Sequence, residues 1–259
     1  MPTGRKIFDI ALDQSAIDMN CRAEDFLRAK NRVVLSAAHP DARKYLALPF
    51  SLCLVSYGCN IVASVSPGLE AETAAYIEKH PRERGFETPN LIELNELLQK
   101  RGMRLSHMAQ YYLPDPGALN APECGLETRL LYPADFAGLY EGAWRNALCE
   151  KRRHLDVLGV GAYDEGMLAG LAACSADCET MWQIGVDVLP EYRRRGVARA
   201  LTGRLAMEIL GRGKVPFYGA SWANVGSARN AAASGFRPAW VELSASPAEE
   251  IAGTEITKG

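Results

Sequence analysis

Several absences narrow this sequence before any motif is read. No stretch approaches the ~20 consecutive apolar residues of a membrane span. The longest apolar run, LCLVSYGCNIVASV at 52–65, is short and carries Asn60. The opening residues MPTGRKIFDIALDQ hold no apolar signal core, so no secretory leader is expected. The four histidines (His39, His80, His107 and His154) are scattered, with no carboxylate or cysteine at ligand spacing, so no metal site is expected. Seven cysteines from Cys21 to Cys178 include no CxxC pair, a usage that fits reduced thiols in a cytoplasm better than a disulfide frame. No GxSxG elbow is present. GRGKV at 211–215 ends a helical pattern and lacks the first glycine of a Walker loop. GVGAYDEG at 159–166 has the wrong spacing for a dinucleotide fingerprint and leads into a hairpin. A formal net charge of -2 argues against a nucleic-acid coat, so any anion site must be local.

What remains is a chain of 259 residues, 48% hydrophobic and 23% charged, long enough for one or two domains with real cores. Its last third is the most regular. LDVLGVGAY (155–163) and MLAGLAACS (167–175) read as strands around a hairpin at Asp164, Glu165 and Gly166, and MWQIGVDVL (181–189) as a third strand that Pro190 ends. Val197, Leu201, Leu205 and Ile209 then recur every four residues, the face of an amphipathic helix stopped by Gly211 and Gly213. KVPFYGAS follows as a short buried strand, Asn224 as the cap of a second helix, Gly235 as its left-handed end, and FRPAWVEL as a last strand. The order is β-β-β-α-β-α-β.

Upstream, GLETRLLYP reads as a strand and PADFAGLYEGAWRNALCEKR as a helix with Pro133 near its start; KRRH at 151–154 is then a solvated helix end. Residues 1 to about 118 read as a separate α/β unit. In it a helix is expected around 14–30, strands in LCLVSYG, NIVASVS and LSHMAQYYL, and helices in LEAETAAYIEKH and PNLIELNELLQKRG. The boundary is expected in PDPGALNAPECG, rich in Pro, Gly and Ala. The tail SASPAEEIAGTEITKG is expected to be loosely attached.

The stretch EYRRRGVARAL (191–201) stacks three arginines where a helix begins. Between a strand end and a first helical turn, several backbone N–H groups have no intrahelical partner and point one way. With the helix dipole, they make a cradle for an anion such as a diphosphate, and arginines can reach over it. Gly196 lets the backbone approach without a Cβ in the way.

IGVDVLPEYRRRGVARAL followed by ANVGSARNAAASGF resembles the GNAT superfamily of acyl-CoA-dependent N-acyltransferases, in particular a bacterial subgroup with an extra N-terminal region. Arg193, Gly196 and Ala198 match its (Gln/Arg)-x-x-Gly-x-(Gly/Ala) signature; Asn224, Ser227, Gly235 and Phe236 match the second one. The resemblance covers roughly residues 126–245. It implies an α/β (α+β) fold with a mixed, mostly antiparallel central sheet flanked by helices, preceded by a smaller α/β domain. The expected divisions are residues 1–118, a catalytic domain over 119–245 and a tail over 246–259.

By the same resemblance, acetyl-CoA is the cosubstrate and no metal is needed. Arg193, Arg194, Arg195, Gly196, Val197 and Ala198 would hold its diphosphate. The backbone of Val186, Asp187 and Val188 would pair with its pantetheine arm where two parallel strands splay, with Gly185 as the bulge that opens them and KVPFYGAS across the gap. A strand amide near Val186 would hold the developing oxyanion. Asn224 would face the cofactor or only cap its helix.

Two positions depart from the family. A glutamate often near the start of the third meander strand is Trp182 here, and a tyrosine often in the second helix is Ala231. Glu179, rather than Asp177 or Asp187, is the expected base, with a solvated turn carboxylate as its plain reading; Ser227 is a candidate partner of the thiolate or pantetheine.

The expected function is therefore transfer of an acetyl group to an amine in a ternary complex. The rival is a non-catalytic acyl-CoA-binding or sensing protein. A cytoplasmic location is expected, with no nucleic acid or membrane partner. The first unit is open to three readings: a degenerate relative of the second, a lid over the acceptor pocket, or a homodimer surface. Its Tyr111–Tyr112 pair reads as strand packing.

Overall fold

A computed structural model describes residues 2–250. The chain forms α1 (Gly4–Met19), β1 (Arg32–Leu35), β2 (Leu52–Ser56), β3 (Val62–Val65), α2 (Glu70–Lys79), α3 (Thr88–Gln99), β4 (Met103–Pro114) and β5 (Glu127–Leu131). It continues through β6 (Asp156–Asp164), β7 (Met167–Ser175), β8 (Met181–Val188), α4 (Val197–Gly211), β9 (Val215–Ser221), α5 (Val225–Ala233) and β10 (Phe236–Pro247). The result is the mixed, mostly antiparallel α/β fold that the sequence implied. Neither compact unit is one continuous stretch: among the described residues, 2–10 join Tyr111–Pro238, and Ala11–Gln110 joins 239–250.

In the unit containing 111–238, β5, β6, β7 and β8 form an antiparallel meander, and β9 runs parallel to β8. The β6–β7 turn has only Glu165 and Gly166 between strands, both at positive φ, the handedness that matches strand twist. On one face Val197, Leu201, Leu205 and Ile209 of α4 are buried among Leu158, Val160, Ala172 and Ile184. Each such aliphatic side chain contributes about 1.5–3 kcal/mol on full burial. A second core on the opposite strand positions gathers Phe136, Trp144, Leu148 and Leu171.

Two expectations in this unit are corrected. The segment PDPGALNAPECG is no free linker: the Asp115 amide donates to the Gly235 carbonyl (2.9 Å), and Arg199 Nη2 to Asn120 Oδ1 (2.7 Å). A Cβ on Gly203 would stand 1.9 Å from the Asn120 carbonyl oxygen, so the strap lies directly on α4. The compact units accordingly divide at 110/111 and 238/239, where the linear reading expected 118/119 and 245/246. The expected helix from Pro133 is instead two 3-10 turns, Pro133–Phe136 and Glu150–Leu155, with irregular chain between. Gly142 sits at φ +89, and the amides of Asn146 and Ala147 are bonded to the Asp187 carboxylate instead of to helical carbonyls.

In the unit containing 11–110, β1 pairs parallel with β3, β3 antiparallel with β2, and β2 antiparallel with β10. Leu52, Leu54, Ile61 and Val65 pack with Ile77, Leu94 and Leu98 from α2 and α3. The first helix lies earlier than expected, at Gly4–Met19, with Ile7, Ala11, Leu12, Ala16 and Met19 buried, and Asn20 at φ +56 follows it. β1 was not anticipated. Ser246 and Pro247 belong to β10 and the Ala248 amide bonds to the Gly102 carbonyl, so the tail is fastened at its start; the rest of that expectation, from residue 251, lies outside the described residues.

Candidate active site

β8 and β9 pair only from Met181↔Val215 to Ile184↔Tyr218. Beyond that point β8 continues through Gly185, Val186, Asp187 and Val188, still in register with β7 but without a β9 partner in the ladder. One backbone edge of this segment is thereby available to an extended ligand, because strand N–H and C=O groups need partners. The ladder with β7 is unbroken from Gly170↔Val188 to Ser175↔Gln183, so the expected bulge at Gly185 does not occur; the strands diverge instead. The glycine is required for another reason. A Cβ there would lie 1.8 Å from the Asn146 carbonyl oxygen, because the 146–147 backbone crosses β8 at that position.

Asp187 holds this crossing in place. Its carboxylate accepts from the Asn146 amide (2.8 Å), Asn146 Nδ2 (2.6 Å) and the Ala147 amide (2.9 Å). On the other face Val186 and Val188 pack against the α4 core, as strand alternation requires. Asp187 is therefore a positioning residue whose carboxylate accepts three hydrogen bonds from the crossing.

Past Val188 the chain makes a 3-10 turn (Pro190–Tyr192), extends at Arg193, and turns left-handed at Arg194 (φ +59) and Gly196 (φ +82) before α4 starts. At Gly196 a Cβ would meet nothing within 4 Å, so the cradle opens outward; the positive φ is what selects glycine there. The Val197 side chain is buried and Ala198 half-buried, so both would serve the cradle through backbone amides. Arg193 Nε donates to the Val188 carbonyl (3.0 Å), and the Arg195 guanidinium lies over the Tyr192 ring at 5.3 Å. No carboxylate pairs with Arg193, Arg194 or Arg195 among the described residues. Three exposed, uncompensated cations at a helix N-terminus produce a concentrated positive field.

Asn224 caps α5, its Oδ1 accepting from the Ser227 amide at 3.1 Å. Opposite Ile184, at the last paired position before the gap, stands Tyr218, which the sequence reading treated only as part of a buried strand. The Ser227 and Asn230 side chains of α5 lie near enough to act on its ionisation. Asn230 is fixed in turn by Thr202 Oγ1 at 2.9 Å. Burial pushes the Tyr218 phenol above its ordinary value, with Ser227 and Asn230 opposing. A hydroxyl-bearing ring in the apolar stretch KVPFYGAS was the available signal. Trp182 is half-buried against the α4 core and Ala231 is fully buried.

Glu179 does not fit the expected base role. It is exposed in the turn before β8, and its carboxylate accepts from Lys214 Nζ at 2.5 Å. That hydrogen bond and the Lys214 charge lower its pKa, which makes it a weaker proton acceptor. About 13 Å of extended strand separates Met181 from Gly185, placing Glu179 at the far end of β8 from the gap.

Among the described residues no group of three or more His, Cys, Asp or Glu is placed to hold a metal ion, and no helix is long and apolar enough to cross a membrane. All seven cysteines are free thiols; burial pushes Cys21 up to about 12 and raises Cys53 and Cys174 as well.

Residues 126–236 match the family model described as acetyltransferase (GNAT) family. Similar solved structures include a protein from Novosphingobium aromaticivorans assigned to the GNAT family, at 20% identity, covering 56% of this chain and 66% of that one, TM-score 0.45. A GCN5-related N-acetyltransferase-like protein from Streptococcus suis follows at 21% identity, with 58% and 66% covered and TM-score 0.43. A Salmonella typhimurium protein solved with its cofactor acetyl-CoA matches at 20% identity, with 51% and 96% covered and TM-score 0.36. The chain spans about two thirds of the length of the first two, 66% in each case. No curated protein sequence matches it.

Proposed function

Residues 126–236 are a GNAT acetyltransferase domain, and from that premise we propose that the protein moves the acetyl group of acetyl-CoA to the nitrogen of an amine, directly and in a ternary complex. The observation that carries this reading is the divergence of β8 from β9 after Ile184, next to a left-handed loop with three uncompensated arginines. A diphosphate suits the cradle, because open space at Gly196 admits it and the first-turn amides have no helical partner. An extended amide-bearing arm suits the edge of β8 at Val186, Asp187 and Val188 that lacks a β9 partner, since it can pair with strand backbone as an added strand does; the Val188 carbonyl there is shared with Arg193 Nε. When bound, the cosubstrate supplies an acyl group activated as a thioester.

The chain's own groups then bind and orient. The amide edge near Val186 is available to the carbonyl oxygen as it gains charge. The 146–147 crossing, fixed by Asp187, walls the opposite face. Neither Glu179 nor Asp187 is placed to take the amine's proton, the first being tied to Lys214 and remote, the second engaged by three hydrogen bonds at the 146–147 crossing. The amine is therefore delivered uncharged, its proton passing to water. The acceptor class and a cytoplasmic setting belong to the same reading.

The experiment is thermal unfolding with acetyl-CoA, CoA, ATP and NAD on wild type and Gly196→Glu. A ligand at a hundred times its dissociation constant stabilises by about 2.7 kcal/mol. Both CoA species should shift the wild type and neither the variant. A shift with ATP or NAD alone removes the reading. Thiol release is then followed with polyamines, aminoglycosides, amino acids and peptides. Binding of CoA without turnover on any amine would favour a non-catalytic acyl-CoA sensor, the reading motivated by Trp182 and Ala231 at the departing positions.

A further inference from the structure

We propose that a cavity of about 410 Å³, lined by the residues that follow α1, by the 3-10 turn Ala23–Leu27 and by β1, binds a small molecule carrying a phosphate monoester. The cavity lies wholly within the unit containing 11–110 and is independent of the acetyl transfer proposed above. Its volume is that of a small-molecule site, which runs from about 300 to 1,000 Å³. Arg22, Arg28 and Arg32 line it, together with Asn20, Cys21 and Asp25.

The charge balance there is open. Asp25 is the one carboxylate of the lining and is already engaged: its Oδ2 accepts from the Arg22 amide at 3.1 Å, and its Oδ1 lies 3.5 Å from Arg28 Nη1. The Cys21 thiol, pushed up to about 12 by burial first and by Asp25 second, stays neutral and adds no negative charge. No carboxylate pairs with the side chain of Arg22 or Arg32 among the described residues. Three cations against one anion leave two positive charges in excess, and they repel one another until an anion enters.

The walls are fixed before any ligand arrives. Asn60, fully buried, donates from Nδ2 to the Asp25 and Lys30 carbonyls at 2.7 and 2.8 Å, which closes the loop carrying Arg28. The Ile61 amide donates to Asn31 Oδ1 and Asn20 Nδ2 to the Leu35 carbonyl, both at 2.9 Å, so each end of the segment is tied down. Backbone held in this way leaves less to be ordered on binding. A phosphate monoester carries about −1.5 to −2 near pH 7 and three acceptor oxygens, which answers the excess charge and suits the donor forks of guanidinium. A single carboxylate would leave one cation unanswered. Inorganic phosphate fills only part of the volume, so an organic group belongs on the ester oxygen; it is a polar one, because Val34 is the only aliphatic side chain in the lining.

The test is calorimetric titration at matched ionic strength with glycerol 3-phosphate, inorganic phosphate and succinate. It uses wild type, Arg22→Gln, Arg32→Gln and Gly196→Glu, the last altering the other arginine cluster. One glycerol 3-phosphate should bind per wild-type chain, and either arginine variant should bind it roughly tenfold more weakly, having lost a charge-assisted contact. Gly196→Glu should bind it as wild type does. Loss in Gly196→Glu with retention in the two arginine variants would put the phosphate at 193–198 and overturn the assignment. No binding of either phosphate by the wild type would overturn it too. An equal response to succinate, which spreads a similar charge over two carboxylates, would overturn phosphate as the class, and equal affinity for inorganic phosphate would overturn the ester. Amide resonances of the wild type need no variant: glycerol 3-phosphate should move those of 20–22 and 32–34, and shifts confined to 193–198 would again overturn the site.

Discussion

Arginine is used in opposite ways at Arg43 and in the turn before α4. In the unit containing 11–110, Arg43 is 3% exposed: its Nε pairs with Asp18, its Nη2 lies 3.6 Å from Glu242 Oε2, and its Nη1 donates to the Tyr45 hydroxyl at 2.6 Å. Trp240 and Tyr45 present ring faces to the same guanidinium at 5.8 and 5.4 Å. In the unit containing 111–238, Arg193, Arg194 and Arg195 are exposed and face no carboxylate. A charge surrounded by its own counter-charges and rings has no need of a ligand. Charges crowded together without them repel one another until an anion arrives. The contrast teaches where to look for binding: at cations the fold leaves uncompensated, rather than at those it buries.

The largest expected effect breaks the buried side of this contrast. Arg43→Met would leave Asp18 and Glu242 buried without their cation, and loss of one partner from a buried ion pair costs about 3–5 kcal/mol. Denaturant unfolding should show that loss. Arg193→Ala should change stability by less than about 1 kcal/mol, since surface substitutions are usually small, yet weaken CoA binding by roughly tenfold or more, with the wild-type affinity falling as salt rises. Equal stability losses at the two sites would dissolve the distinction.

A smaller effect sharpens the same comparison through pH. Burial is the main cause raising Glu242 above its ordinary 4.5, with Arg43 opposing it. A carboxyl raised in the folded state binds more protons there than in the unfolded chain, so its contribution to stability declines as pH rises from about 4.5 to the folded value. Glu242→Gln removes the titration. The difference in unfolding free energy, variant minus wild type, should therefore grow through that window, and a flat difference would show that Arg43 cancels the burial cost.

These contrasts also mark what could be seen before the structure. The α4 face, the Asn224 cap and the arginine turn were legible because each is local: four-residue spacing, one side chain bonding three residues on, one glycine at a helix start. Tyr218 and the Asp187 clamp were not, since the groups that act on them lie at Ser227 and Asn230 and at Asn146 and Ala147, distances in sequence that no periodicity encodes. The expected helix after Pro133 failed for the same reason. Its amides are taken by a carboxylate some forty residues away, 41 for Asn146 and 40 for Ala147. The 11–110 unit was the least legible, because it is completed by β10 from the other end of the chain.

Glu179 supplies the smallest expected effect and the clearest discrimination. In the sequence it looks like an acid beside the transfer strand; in the fold it is an exposed turn carboxylate engaged by Lys214. A general base must reach the amine's proton directly or through one water, and it loses driving force as its pKa falls. Glu179 is at the far end of β8 and the Lys214 hydrogen bond pushes its pKa down. Glu179→Gln should therefore leave kcat, KM and the pH profile of acetyl transfer within about twofold of wild type. A loss of kcat at unchanged acetyl-CoA binding, with the alkaline rise displaced, would return Glu179 to the chemistry. It would also mean that an exposed, compensated carboxylate can do what the comparison of the two units reserves for groups the fold leaves unsatisfied.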